Sequence, residues 1–304
     1  MHRIAVEAPY RLDLTVAILR RFSTNVVDVT SPSGAYVRAF SGGAAPSAVA
    51  VRQLDATTLG VSFDGLDVDV PRDIALVRRM LGTDARAPRF ERAARAIPWL
   101  DTIVRATRGV RAPRYATLWE ACVNAIVFQA VSLFAATAVL RRIIIALVEP
   151  IAYDGATVYA FPPPEVVLAA NDATLRTAGL SFAKIAALRA VATALAEGRL
   201  DEPMLEERST ADASALLCTI RGIGPWTAAV ILLRGLARID QFPMKDSGVA
   251  RLIASLGGPE TDLDALLDAL GDERGMLYYY LLLGRLMASG EVDTTTTPPW
   301  SSTT

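Results

Sequence analysis

The chain has 304 residues, a formal net charge of −1 and a hydrophobic fraction of 52%. That length suits two domains with sizeable cores, yet no apolar run reaches the roughly 18 residues a membrane span needs. The two cysteines, Cys122 and Cys218, are too few for a four-cysteine iron–sulfur cluster, and the single histidine, His2, argues against histidine triads and zinc hydrolase sites.

The first seventy residues read as strands with one helix. Val26–Val29, Ala35–Phe40, Ala48–Val51 and Leu59–Phe63 are short and β-branched, and Gly, Ser, Pro or Asp-Gly turns bound several of them. Leu12 to Phe22 has helical spacing, with Leu14, Ala17 and Ile18 on one side. Glu7 and Arg11 interrupt any apolar leader, so no signal peptide and a cytoplasmic location are expected. From Arg78 to Arg114 ten arginines face only Asp84, Glu91 and Asp101, which is either a set of solvated helix faces or a phosphate-binding region.

After about Pro71 the pattern becomes helical and is expected to stay so. Trp119, Val123, Ile126 and Val127 share a helical face, and Leu168, Leu175 and Leu180 follow more loosely. Lys184 to Glu197 reads as a helix stopped by Gly198. Leu216, Leu217 and Ile220 belong to a further helix, and Trp226, Ala229, Val230 and Leu233 to the next. Val249, Leu252, Ile253 and Leu256 form an i, i+3, i+4, i+7 stripe, and a last helix runs through Tyr278, Tyr279 and Tyr280 to about Ser289. These residues predict an α+β fold: an antiparallel α+β domain over 1–110, a helical domain over 111–292 and a disordered tail over 293–304.

Two features carry chemistry. In Arg221-Gly222-Ile223-Gly224-Pro225 the glycines permit a tight turn, and Pro225 suits the first helical position. The amides of Ile223, Gly224 and the following turn would then face outward at a helix N-terminus, an anion site suited to one phosphate. Asp246 immediately precedes the Val249 stripe, so it is a natural helix N-cap. The same position keeps a carboxylate charged, able to stabilise developing positive charge or to orient a water.

The hairpin followed by this aspartate resembles the helix-hairpin-helix DNA glycosylases. From about Arg111 to Leu286 the chain is similar to the 3-methyladenine DNA glycosylase II family, through Gly109–Pro113, Trp119-Glu120, Phe128–Ser132, Gly179–Lys184, Ala196–Gly198 and, most strongly, Gly222 to Asp246. The resemblance implies a base-excision repair enzyme that flips a damaged purine from duplex DNA and hydrolyses its N-glycosidic bond, acting as a nucleoid-associated monomer with no membrane. Asp246 matches the catalytic aspartate. Trp226, Val230, Ser247 and Leu282 match base-pocket positions, the last three without the aromatic rings common there. Gly222, Ile223, Gly224, Thr227, Gln129, Ala130 and Lys184 match DNA-binding positions, Gln129 and Ala130 within the loop that fills the gap left by the flipped base. Ala130 is small for that task, and Arg221 replaces a proline common before the hairpin. The carbonyls of Cys218, Ile220 and Gly222 match those that hold a structural Na⁺ or K⁺; no other cofactor is implied. Trp226 stands where strand-cleaving members carry a Schiff-base lysine, which implies no lyase activity, and the neighbouring Lys245 is expected to point away. The tyrosines at 278–280 either supply the missing aromatic faces or pack into the core. Excision of deaminated or oxidised bases, and lesion binding without catalysis, are the competing expectations.

Overall fold

The computed structural model describes residues 1–42, 46–65, 68–86 and 89–293. Strand β1 (His2–Ala5) and helix α1 (Leu12–Arg20) precede four strands: β2 (Val29–Thr30), β3 (Tyr36–Phe40), β4 (Ser47–Asp55) and β5 (Thr58–Asp64). They form one antiparallel sheet in the order β1-β5-β4-β3-β2, with Val51 opposite Val61 and Val37 opposite Ala50. The period-2 alternation splits the side chains between two faces. Ile4, Tyr36, Val49, Val51, Leu59 and Val61 meet α1 and α2 (Val70–Leu81), whereas Val37, Ala39 and Ala50 face the other way. β1 carries little strand signal, because only Ile4 of its four residues is buried.

Helices α3 (Phe90–Ala94), α4 (Pro98–Ala106), α5 (Leu118–Val127) and α6 (Leu133–Leu147) follow. The chain then returns to strand, contrary to the expectation of unbroken helix. β6 (Pro150–Tyr153) and β7 (Ala156–Tyr159) form a hairpin, turning at Asp154 (φ +49°) and Gly155 (φ +72°). An Asp-Gly pair with both φ values positive is the favoured two-residue hairpin turn. The hairpin lays Val158 and Ala160 on the second face of the large sheet, so that face is covered by a segment more than a hundred residues away in sequence.

The remaining helices are α7 (Pro164–Ala169), α8 (Asp172–Thr177), α9 (Phe182–Ala196), α10 (Glu202–Glu206), α11 (Thr210–Cys218), α12 (Pro225–Leu236), α13 (Ser247–Gly257), α14 (Leu263–Leu270) and α15 (Met276–Ala288). They pack into two apolar cores. One gathers α5, α9 and α12 with parts of their neighbours. The other gathers α13, α14 and α15 with α3, α4 and the Leu14/Ala17/Ile18 face of α1. α3 and α4 thus lie before residue 110 in sequence but share a core with the C-terminal helices. α12 joins the two cores, with Ile231 and Leu232 in the first and Leu233 in the second. All ten residues of α5 are buried, so it lacks a polar face. Of the tail expected at 293–304, residues 294–304 lie outside the described residues.

The candidate active-site cleft

The hairpin forms between α11 and α12, and its two glycines do different things. Gly222 has φ +88°, and a Cβ there would sit 2.3 Å from the Cβ of Ala187 on α9. Only glycine fits a turn that is both left-handed and packed this closely. Gly224 has an extended φ of −102° and caps α12, and a Cβ at this position would meet open space. The Ile223 amide donates to the Ile220 carbonyl at 3.1 Å. It is therefore spent within the turn, which corrects its expected place among the phosphate-binding amides. Ala228 makes the first helical bond, to the Gly224 carbonyl at 2.9 Å. The amides of Gly224, Trp226 and Thr227 have no backbone acceptor among the described residues, and they stand at the positive end of a twelve-residue helix.

The loop after α5 is tied to this hairpin. Gln129 donates through Nε2 to the Gly222 carbonyl (2.8 Å) and to Thr227 Oγ1 (2.7 Å). Lys184 donates to the carbonyls of Val127 (2.8 Å) and Gln129 (3.0 Å), and burial lowers its pKa. The side chains of Gln129 and Lys184 thus brace the loop, where direct DNA contact was expected. Ala130 is exposed at φ +54°, and Val131 beside it is 46% exposed, so the larger apolar group at this rim is Val131. The carbonyls expected to hold a monovalent cation are partly used as well. Ile220 accepts from Ile223 and Gly222 from Gln129. Each of these oxygens keeps a second lone pair, and the Cys218 carbonyl accepts no hydrogen bond outside its helix among the described residues, so one hydrogen bond apiece does not use up the set.

Asp246 caps α13 as its position in the sequence implies. Its Oδ1 accepts from the amides of Gly248 (2.9 Å) and Val249 (3.0 Å), and its Oδ2 accepts from the indole N–H of Trp226 at 3.1 Å. Trp226, expected only as a base-pocket residue, therefore also orients the carboxylate from α12. Asp246 is half-buried.

Asp246 opens onto a cleft of about 860 Å³ between the two cores. Trp226, Thr227, Gly224, Gln129, Ala130, Ser247 and Leu282 border it, so most of the expected site residues converge. Val230 does not: it is buried in the α5–α9–α12 core and is absent from the cleft wall. The tyrosine run divides. Tyr278 lines the cleft, and burial together with the nearby Asp246 charge holds its phenol above the usual pKa. Tyr279 donates to the Leu233 carbonyl, and Tyr280 stacks on Phe90 at 4.8 Å, so both belong to the core. Lys245 is exposed and stands at the cleft border.

The cleft's other cations are Arg21, Arg251 and Arg285, none of which carries a motif or spacing that marks it in the sequence. None of the arginines from Arg78 to Arg114 lines it. Several of those are structural: Arg79 and Arg114 both engage Glu202 and the Gly235 carbonyl, and Arg111 is 1% exposed.

No protein-family model matches the chain. It is 29% identical over 167 residues to the DNA-3-methyladenine glycosylase of Bacillus subtilis, covering 55% of each protein. It is 32% identical over 195 residues to the probable bifunctional transcriptional activator/DNA repair enzyme AlkA of Mycobacterium tuberculosis, covering 63% of this chain and 38% of that one. The matches thus span about half or less of these relatives' own lengths. In fold it is similar to the 3-methyladenine DNA-glycosylase from Archaeoglobus fulgidus, with a TM-score of 0.77 and 23% identity over 95% of this chain and 99% of the other. Over more than half its length the chain is thus similar in sequence to DNA-3-methyladenine glycosylases, and over nearly all of it its fold is similar to that of one such enzyme.

Proposed function

We propose that this protein is a DNA glycosylase that excises alkylated purines from duplex DNA by hydrolysis. One observation carries the reading: Asp246, fixed by two helix amides and an indole N–H, faces a cleft with ample room for a purine nucleotide, beside an unpaired set of helix-terminal amides. The amides of Gly224, Trp226 and Thr227 would hold a backbone phosphate without reading sequence. The target nucleotide would then leave the stack and enter the cleft. As the base departs, positive charge grows on the deoxyribose, and the Asp246 carboxylate stabilises it. A water oxygen bonds C1′ and gives its proton to the carboxylate. An alkylated purine already carries positive charge and leaves without a strong general acid, in keeping with a cleft that contains no histidine. Trp226 has no amine with which to form a Schiff base, which supports simple hydrolysis without strand cleavage.

The test is single-turnover release of 3-methyladenine and 7-methylguanine from methylated duplex, with wild type and Asp246→Asn side by side. Asparagine caps a helix as well as aspartate does, so the variant folds while losing the charge. Its rate should fall by on the order of 10²–10³-fold. Full activity in Asp246→Asn would sink the mechanism, and an absence of release by the wild type would sink the activity.

A further inference from the structure

A second, much smaller cavity of about 20 Å³ lies between the end of α1, α5 and α6, with Arg20, Arg21 and Arg141 in its lining. Arg21 also borders the Asp246 cleft, so it stands in the wall between the two. Among the described residues no carboxylate lies within ion-pair distance of any of these three arginines. Arg21 is 9% exposed, and its bonds go to neutral groups of the cavity lining, Asn124 Oδ1 at 3.3 Å and Tyr115 Oη at 2.5 Å. The Phe128 ring, 4.2 Å from Cζ, offers a favourable face but no countercharge. A guanidinium has five N–H donors, and the two bonds leave the rest unused. Arg20 Nε is buried with no partner, while its terminal nitrogens reach only Thr30 Oγ1 and the Glu291 carbonyl. The two carboxylates of the lining, Asp28 and Glu120, are both committed to Arg38. Arg20, Arg21, Arg38 and Arg141 thus face Asp28 and Glu120 alone, an excess of two positive charges. The backbone adds strain. Arg21 has φ +60° and ψ −66°, and the Phe22 amide bonds the Arg20 carbonyl at 2.7 Å, the rare positive-φ γ-turn. Such a turn persists where its surroundings hold it, and a buried cation where something offsets its charge.

We propose that this cavity is an anion site taken by chloride, whose charge offsets Arg21 and whose contacts fix the strained turn in the cleft wall. The volume decides the class of ligand. About 20 Å³ admits one particle the size of water, so a monatomic anion enters and a five-atom oxyanion such as phosphate does not. The unused N–H groups of Arg21 and the unpartnered Nε–H of Arg20 supply the donors. Arg141, exposed on α6, adds an attractive field from the surface side. A water molecule in the same place would fill the space and accept a hydrogen bond, yet leave the excess charge uncompensated. The site is independent of excision and of any phosphate held by the α12 amides, and it is tested without DNA.

The midpoint of thermal unfolding is measured for the full chain at low and high chloride, with potassium gluconate, too bulky for the cavity, holding the ionic strength constant. Chloride should raise the wild-type midpoint by about 2–5 °C. Arg21→Gln removes the buried charge and should reduce that rise to less than about 1 °C. Arg141→Gln alters only an exposed side chain and should reduce it by about half. In crystals soaked in bromide, an anomalous scattering peak should lie in the cavity within about 3.5 Å of an Arg21 nitrogen. If Arg21→Gln does not fold, Arg141→Gln and the bromide peak decide. The absence of a chloride-dependent rise in the wild type overturns the proposal. So does an equal rise in all three proteins, which puts the bound ion elsewhere, and so does a cavity that holds water with no anomalous peak.

Discussion

Gly222 and Gly224 stand two residues apart, and the protein needs them for different reasons. At Gly222 the left-handed backbone and the Ala187 contact both exclude a side chain. Gly222→Ala should destabilise by about 2–4 kcal/mol, combining left-handed strain with overpacking against α9. At Gly224 the space beside the backbone is open, so Gly224→Ala should cost less than about 1 kcal/mol. If that space belongs to a phosphate, the same change should weaken binding to abasic duplex by about 5- to 10-fold at fixed salt. Urea denaturation and duplex titration of both variants test the contrast; equal stability loss at the two positions would refute it. Asp246 and these glycines are legible from their types and spacing alone. The role of Trp226 as donor to Asp246 is not, because it depends on where α12 and α13 cross.

Among the elements, the β6–β7 hairpin shows how a local turn signal can be outweighed by its surroundings. Asp154-Gly155 is a strong turn pair, but it lies within a stretch where apolar residues at helical spacing dominate both flanks. The folded hairpin is pinned to the large sheet through Asp154, whose carboxylate accepts from Ser31 (2.6 Å), Ser33 and Arg52 (2.8 Å). The two serine hydroxyls, more than Arg52, draw the Asp154 pKa down to about 2. A carboxylate with a depressed folded-state pKa contributes stability that is present above its unfolded value, roughly 3.9, and lost as pH falls through the folded value. Hydrogen exchange should therefore show residues 150–159 losing protection between about pH 4 and pH 2, with α5 less affected. Unchanged protection of the hairpin across that window would contradict the assignment. The loop after α5 is the opposite case: its sequence points to a DNA contact, yet the Gln129 and Lys184 side chains are occupied in holding it against α9 and α12.

For the molecule as a whole, Arg38 joins the N-terminal sheet to the helical part. Standing on β3 at 1% exposure, it pairs with Asp28 (2.6 Å) and with Glu120 of α5 (2.5 Å). Burial opposes its charge, but the two carboxylates together hold it well above the usual arginine pKa. Arg38→Ala leaves two buried carboxylates facing each other and should cost about 3–5 kcal/mol, more than Arg38→Ala combined with Asp28→Asn and Glu120→Gln. Chemical denaturation of the single and triple variants checks this; equal cost would mean the ion pairs carry no coupling.

The sequence by itself determined the fold class, the hairpin and the N-cap aspartate. Each is set by residues close in the chain, where glycine conformation, proline geometry and capping act locally. The tertiary structure decided which amides remain unpaired, which tyrosine faces the cleft, and that Arg21, Arg251 and Arg285 rather than the Arg78–Arg114 run stand at its wall. Those outcomes depend on partners up to a hundred residues or more away, and whether a donor is free or a cation is neutralised is settled only once those partners have packed.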